Sequence, residues 1–151
     1  MATVELTFTA LPAHVRTARL VATAIARRTG VAEAMLDEVR LAVGEACSRA
    51  VEAHRQHCPD EPIRIELRDD SGRFEVTVSD AAPSEESVSG TDDARPYTSS
   101  NGDLGKILTD VSDLGIAVIA GLADDVEVYP GPKGMRIRMS WPVTPNGVAA
   151  F

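Results

Sequence analysis

Residues 32–56, AEAMLDEVRLAVGEACSRAVEAHRQ, decide the fold. Leu36, Val39, Val43, Ala46, Ala50 and His54 recur at spacings of three and four, with no proline and only Gly44 to weaken the run. The pattern predicts one helix, roughly 35 Å long at 1.5 Å per residue. Its single apolar stripe needs a second layer to bury against, and the flanking sequence says what that layer is.

Upstream, Val15, Ala18, Val21, Ala22 and Ile25 make a second amphipathic stripe across Ala13–Arg28, with Arg16, Arg19, Arg27 and Arg28 largely off it and a stop at Gly30. Before that, Val4, Leu6 and Phe8 alternate with polar neighbours as in a half-buried strand, which Pro12 closes. Downstream, Cys58-Pro59-Asp60-Glu61-Pro62 breaks the long helix. Ile63, Ile65, Leu67 and then Phe74, Val76, Val78 alternate around Asp69-Asp70-Ser71-Gly72 and predict a hairpin. A second hairpin joins Val126 and Val128 to Met135, Ile137, Met139 and Trp141 through Pro130–Gly134 and ends at Pro142. Between the hairpins, Ala81–Asp103 carries five acids against one arginine and no periodicity, and is expected to be a mobile loop. Leu104–Leu122 supports one helix, or two interrupted near Asp113-Leu114-Gly115. The order β-α-α-β-β-loop-α-β-β predicts an α+β class: helices packed on one face of a mostly antiparallel sheet, in one domain over residues 1–143 with a frayed tail at 144–151.

The charge balance, fifteen Lys+Arg against twenty-three Asp+Glu in 151 residues, gives −8 at pH 7 and argues against direct nucleic-acid binding. Cys47 and Cys58 lie eleven apart without a second pair, so neither a disulfide framework nor a zinc site is expected. No window approaches the roughly 18 apolar residues of a membrane span; a soluble cytoplasmic protein without a metal is expected. His14, His54 and His57 share no spacing with a nucleophile and are assigned solvated or packing roles.

Three strings resemble the GHKL (histidine kinase-like) ATPase superfamily, and within it the small anti-sigma factors that double as serine-protein kinases: Leu36–Ala46, Val76–Asp80 and Leu114–Val126. The resemblance implies a Bergerat-type α+β sandwich in which residues 81–103 form a lid-like loop over the nucleotide. It also implies a Glu-x-x-x-Asn box on the long helix, whose acid is a general base and whose amide ligates magnesium. Here the box reads Glu45 and Arg49, and a guanidinium has no acceptor with which to hold a cation. The expected Asp-x-Gly-x-Gly box reads Asp80-Ala81-Ala82-Pro83-Ser84, keeping the adenine-facing acid and losing both glycines. The phosphate-binding Gly-x-Gly turn reads Asp113-Leu114-Gly115, with a carboxylate at the first position.

The resemblance, with all three boxes altered, implies an anti-sigma factor that sequesters a sigma factor and is released by a STAS-domain antagonist, a dimer as in the family, without ATP or magnesium. The other reading is an active ATP-dependent serine kinase acting on that antagonist, with Glu45 as base and Asp80 on adenine. Structural readings stand beside these. Glu45 is expected to pair with Arg49 at i,i+4, and Asp80 serves equally well as a strand-end turn residue. The loop 81–103 is a lid, a docking segment or a plain solvated loop. Arg136 and Arg138 lie on a wet strand face with a salt link to an acidic partner open to them.

Overall fold

The computed structural model describes residues 3–82, 97–98 and 114–144. In chain order the elements are β1 (Thr3–Phe8), α1 (Pro12–Thr29), a 3₁₀ turn (Glu33–Met35), α2 (Leu36–His57), β2 (Ile63–Asp70), β3 (Arg73–Ser79), β4 (Tyr97–Thr98), α3 (Leu114–Leu122), β5 (Asp125–Gly131) and β6 (Gly134–Pro142). The strands form one sheet, ordered β1-β2-β3-β6-β5-β4, and every pairing in it is antiparallel.

Alternation puts one set of side chains under the helices. Ile63, Ile65 and Leu67 of β2, Phe74, Val76 and Val78 of β3, Val126 and Val128 of β5, and Ile137, Met139 and Trp141 of β6 are all buried. Against them lie Val15, Ala18, Ala22 and Ala26 of α1 and the stripe Leu36, Val39, Val43, Ala46, Cys47, Ala50 and Val51 of α2. Small residues on α1 let that helix approach α2 closely. Phe74 and Trp141 are register partners on β3 and β6, with ring centroids 6.3 Å apart, and the Trp141 indole N–H donates to Leu122 O at 3.3 Å. The indole thus ties β6 to the end of α3 while its ring fills the core, satisfying its one donor.

Two turns explain where glycine is required. Ser71 (φ 52°) and Gly72 (φ 78°) are both left-handed, the geometry a two-residue hairpin needs to match strand twist. At Gly134, φ is +136° and a Cβ would sit 1.9 Å from Asp80 O, so the opening of β6 runs directly against the end of β3.

Four expectations change. Pro12 opens α1 at its first turn, with Gly30 (φ 112°) capping the far end, because a proline lacks the N–H that a helix start leaves unused. The long helix begins at Leu36, and residues 33–35 wind as a tighter 3₁₀ turn. Within the expected loop 81–103, Tyr97–Thr98 pairs with β5, since an edge strand presents open backbone groups and both residue types favour strands. Thr144, expected in the frayed tail, donates its N–H to Gly30 O at 3.0 Å, beside Val143 N–H to Gly72 O at 2.9 Å. The remainder of the loop and tail, and residues 104–113 of the expected helix, lie outside the described residues. Among described residues no helix is long and apolar enough to cross a membrane.

Two measurements follow. Gly134→Ala meets backbone and forces a non-glycine into positive φ, so denaturant unfolding is expected to show a loss of at least about 2 kcal/mol; Gly72→Ala, with open space around its Cβ position, is expected to lose less. Burial pushes the Cys47 thiol up to about 12, whereas Cys58 is only half-buried. An aromatic disulfide reagent at mildly alkaline pH is expected to label Cys58 alone in the native protein and both thiols in denaturant.

Candidate functional site

The period of α2 places Glu45 and Arg49 one turn apart, both half-buried, on the side met by α3. Gly115, in the first turn of α3, lies so close that a Cβ there would sit 2.8 Å from Glu45 Oε1 and 3.4 Å from Arg49 Cδ. Arg49 extends past Gly115 and donates from Nη1 to Met135 Sδ at 3.0 Å. The expected Glu45–Arg49 ion pair is not formed: the guanidinium runs across to the start of β6, where it faces Met135 and the field of Asp80. Position 49 therefore supplies N–H donors and fixed positive charge where an amide would supply an acceptor oxygen.

Asp80 closes β3. Its Oδ1 accepts from Ala82 N–H at 3.1 Å and from Met135 N–H at 3.0 Å, while its own N–H donates to Met135 O at 2.9 Å. Burial raises its carboxyl above the ordinary aspartate value, opposed by those two hydrogen bonds and by the positive charge of Arg49. The strand-end turn role is thus directly visible. Ala82, the position whose Cβ replaces a glycine, is buried. Ser84 and Asp113 lie outside the described residues.

His54 belongs to the same assembly. It is fully buried, with Nδ1 2.9 Å from Glu61 O and Nε2 accepting from Ala81 N–H at 2.8 Å. A carbonyl oxygen only accepts and an amide N–H only donates, so the geometry requires the neutral ring with its proton on Nδ1. The packing role read from the helical stripe holds. The bridge from α2 to the residue after Asp80 is a contact that sequence reasoning misses. Its signal is a histidine in an apolar stripe, where a buried ring needs two polar partners. Glu45, Arg49, Asp80, Ala82 and Gly115 are brought to one end of the helix–sheet seam; His14 and His57 are not part of it. His14 instead contacts Thr9 O through Nδ1 at 3.0 Å. Among the described residues no group of three His, Cys, Asp or Glu is arranged to hold a metal.

The Asp80 contacts carry a pH signature. A carboxyl group whose folded value is raised binds more protons in the native state, so its contribution is full below the unfolded value of 3.8 and is lost as pH rises through the folded value. Asp80→Asn keeps an oxygen for both N–H donors and does not ionise. Urea unfolding from about pH 4 to about pH 7 is expected to show the variant gaining on the parent as pH rises; parallel curves would refute the assignment. Asp80→Ala leaves two buried N–H groups without their acceptor and is expected to lose roughly 1–3 kcal/mol.

With this geometry in view, comparison with known proteins is informative. The model of the histidine kinase-like ATPase domain family matches residues 8–141. Serine-protein kinase RsbW of Bacillus subtilis (strain 168) is 28% identical over 139 residues, covering 91% of this chain and 83% of that protein. Among solved structures, the crystal structure of the RsbU and RsbW domains of Rv1364c from Mycobacterium tuberculosis superposes with a TM-score of 0.62 at 15% identity, over 95% of this chain and 33% of that one. The chain spans a third of that protein's length, and the likeness there is one of fold. The family match runs from the end of β1 to Trp141 and takes in every element between, so the chain belongs to the histidine kinase-like ATPase domain family.

Proposed function

We propose that this chain works by protein–protein binding, as an anti-sigma module that sequesters a sigma factor in the cytoplasm and is released by a STAS-domain antagonist, without ATP binding or phosphoryl transfer. The observation that carries the reading is Arg49: its stem passes Gly115 and its guanidinium donates to Met135, in the helical position where the resemblance places a magnesium-ligating amide. Magnesium takes oxygen ligands in near-ideal octahedral geometry, and the donor set here does not fit it. Glu45 remains in the base position, but the first turn of α3 rests on its carboxylate. Asp80 Oδ1 is engaged by two backbone donors of its own chain. A lost metal ligand and an occupied acid each weaken nucleotide binding by a few kcal/mol; at 1.4 kcal/mol per tenfold, together they move a micromolar site beyond cellular nucleotide levels.

Supporting the partner class is the similarity to a serine-protein kinase of the RsbW type over most of the chain. That same name favours the second reading, an active serine kinase that phosphorylates the STAS-domain antagonist through Glu45. Titration calorimetry with ATP and magnesium separates them: no saturable heat at sub-millimolar nucleotide is expected, and saturable binding would establish the kinase reading instead. The binding role is tested by co-expression with each sigma factor of the same cell. A stable complex with at least one, dissolved by adding the antagonist, is expected; recovery of none would overturn the proposal.

A further inference from the structure

The face of the sheet turned away from the helices carries a charge pattern with no part in the site above. Pairing register stacks its outward residues into rows across the strands. One row reads Glu5, Glu66, Thr77, Arg138, Glu127, and it is internally compensated, Arg138 bonding to Glu127. The next, toward the end of β3 and the start of β6, reads Thr7, Arg64, Ser79, Arg136, Tyr129. That row holds two arginines, three hydroxyls and no carboxylate, and Lys133 stands exposed in the turn at its end.

Arg64, Ser79, Tyr129, Lys133 and Arg136 line one groove of about 770 Å³ on the sheet, which Glu66 and Glu75 border on its far side. Arg136 is held with its guanidinium 5.1 Å from the Tyr129 ring centroid, which orders the side chain without neutralising it. Among the described residues neither Arg136 nor Lys133 has a carboxylate within 4 Å, and Arg64 reaches diagonally to Glu5 at 2.6 Å, an exposed pair of the kind that exchanges readily. Asp80 also borders the groove, but its Oδ1 is committed to Met135 and Ala82.

We propose that this row is a docking surface for a carboxylate-rich extended segment of a partner protein, gripped by Arg136, Lys133 and Arg64. Strands lie about 4.8 Å apart, so Arg64 and Arg136, two strands apart, are separated by roughly 10 Å. In a polyproline-II-like extended segment, with three residues per turn and about 3.1 Å rise, carboxylates three residues apart share a face and span about 9 Å. The Ser79 hydroxyl lies between the arginines to donate to the segment, while the Tyr129 hydroxyl is committed to Glu127. Glu5, Glu66 and Glu127 flank the row and repel a continuous phosphate backbone, which, with the net charge of −8, favours a short acidic peptide over nucleic acid. The proposal is independent of whether the α2–α3 site binds nucleotide.

The test uses the whole chain and a fluorescein-labelled ten-residue peptide with glutamate at every third position, followed by anisotropy at about 50 mM salt, where screening is weak. Binding is expected, at least tenfold weaker for the same peptide with glutamines, and roughly tenfold weaker for the double variant Arg136→Gln/Lys133→Gln. Arg27→Gln/Arg28→Gln, which removes the same charge from the end of α1, is expected to leave binding unchanged. Absence of binding, equal binding of the glutamine peptide, equal loss in both double variants, or tighter binding of a single-stranded oligonucleotide of the same charge would each overturn the proposal. So would peptide binding that vanishes as the protein self-associates, which would make this face a contact between copies.

Discussion

The meeting of Asp80 with Gly134 and Met135 is the contact on which the rest of the structure depends. Backbone runs against backbone there because residue 134 has no side chain, and the carboxylate of residue 80 fastens the two strands where their ladder ends. His54 then attaches α2 to Ala81, just beyond the end of β3, so one short stretch, 80–82, is held by β6 on one side and by the long helix on the other. Every partner in this knot is polar and half or fully buried, which makes each of them intolerant of removal but indifferent to solvent conditions that leave their protonation unchanged.

The arrangement also shows that the family scaffold is held together apart from its box residues. The hydrophobic layer is carried by alternating strand residues and by the stripes on α1 and α2, none of which are the residues of the three boxes. Those positions sit at the end of the seam and are free to take on structural work. Arg49 is the plainest case: a long side chain with an apolar stem bridges α2 to Met135, so the position contributes packing and a fixed charge.

Most of the fold is legible in the sequence because periodicity reports burial, and burial organises this molecule. The stripe from Leu36 to His54 and the alternation at Ile63–Val78 and Met135–Trp141 translate directly into buried faces. What is not legible depends on contacts between distant residues. Nothing local distinguishes Tyr97–Thr98 from its neighbours until β5 offers an edge to pair with, and Pro12 reads equally as a strand terminator or a helix opener. At the site, the i,i+4 rule anticipates Glu45–Arg49, yet the tertiary neighbours Met135 and Asp80 redirect the guanidinium. The roles of Asp80 as a turn residue and of Arg136 on a wet face are visible in the residues themselves, whereas the His54–Ala81 bond requires knowing that a loop returns over α2.

The strand order has a temporal meaning as well. β6 sits between β3 and β5, yet among the described strands it is made last, about sixty residues after its neighbour β3. As the chain leaves the ribosome, β1, β2, β3 and the two long helices are available early, while the inner edge of β3 stays open until the final strand arrives. Non-local closure of this kind slows folding and prolongs the exposure of an unpaired edge rich in Val and Phe. The half-built sheet is therefore the species most in need of protection during synthesis, and insertion of β6 is the event that ends its vulnerability.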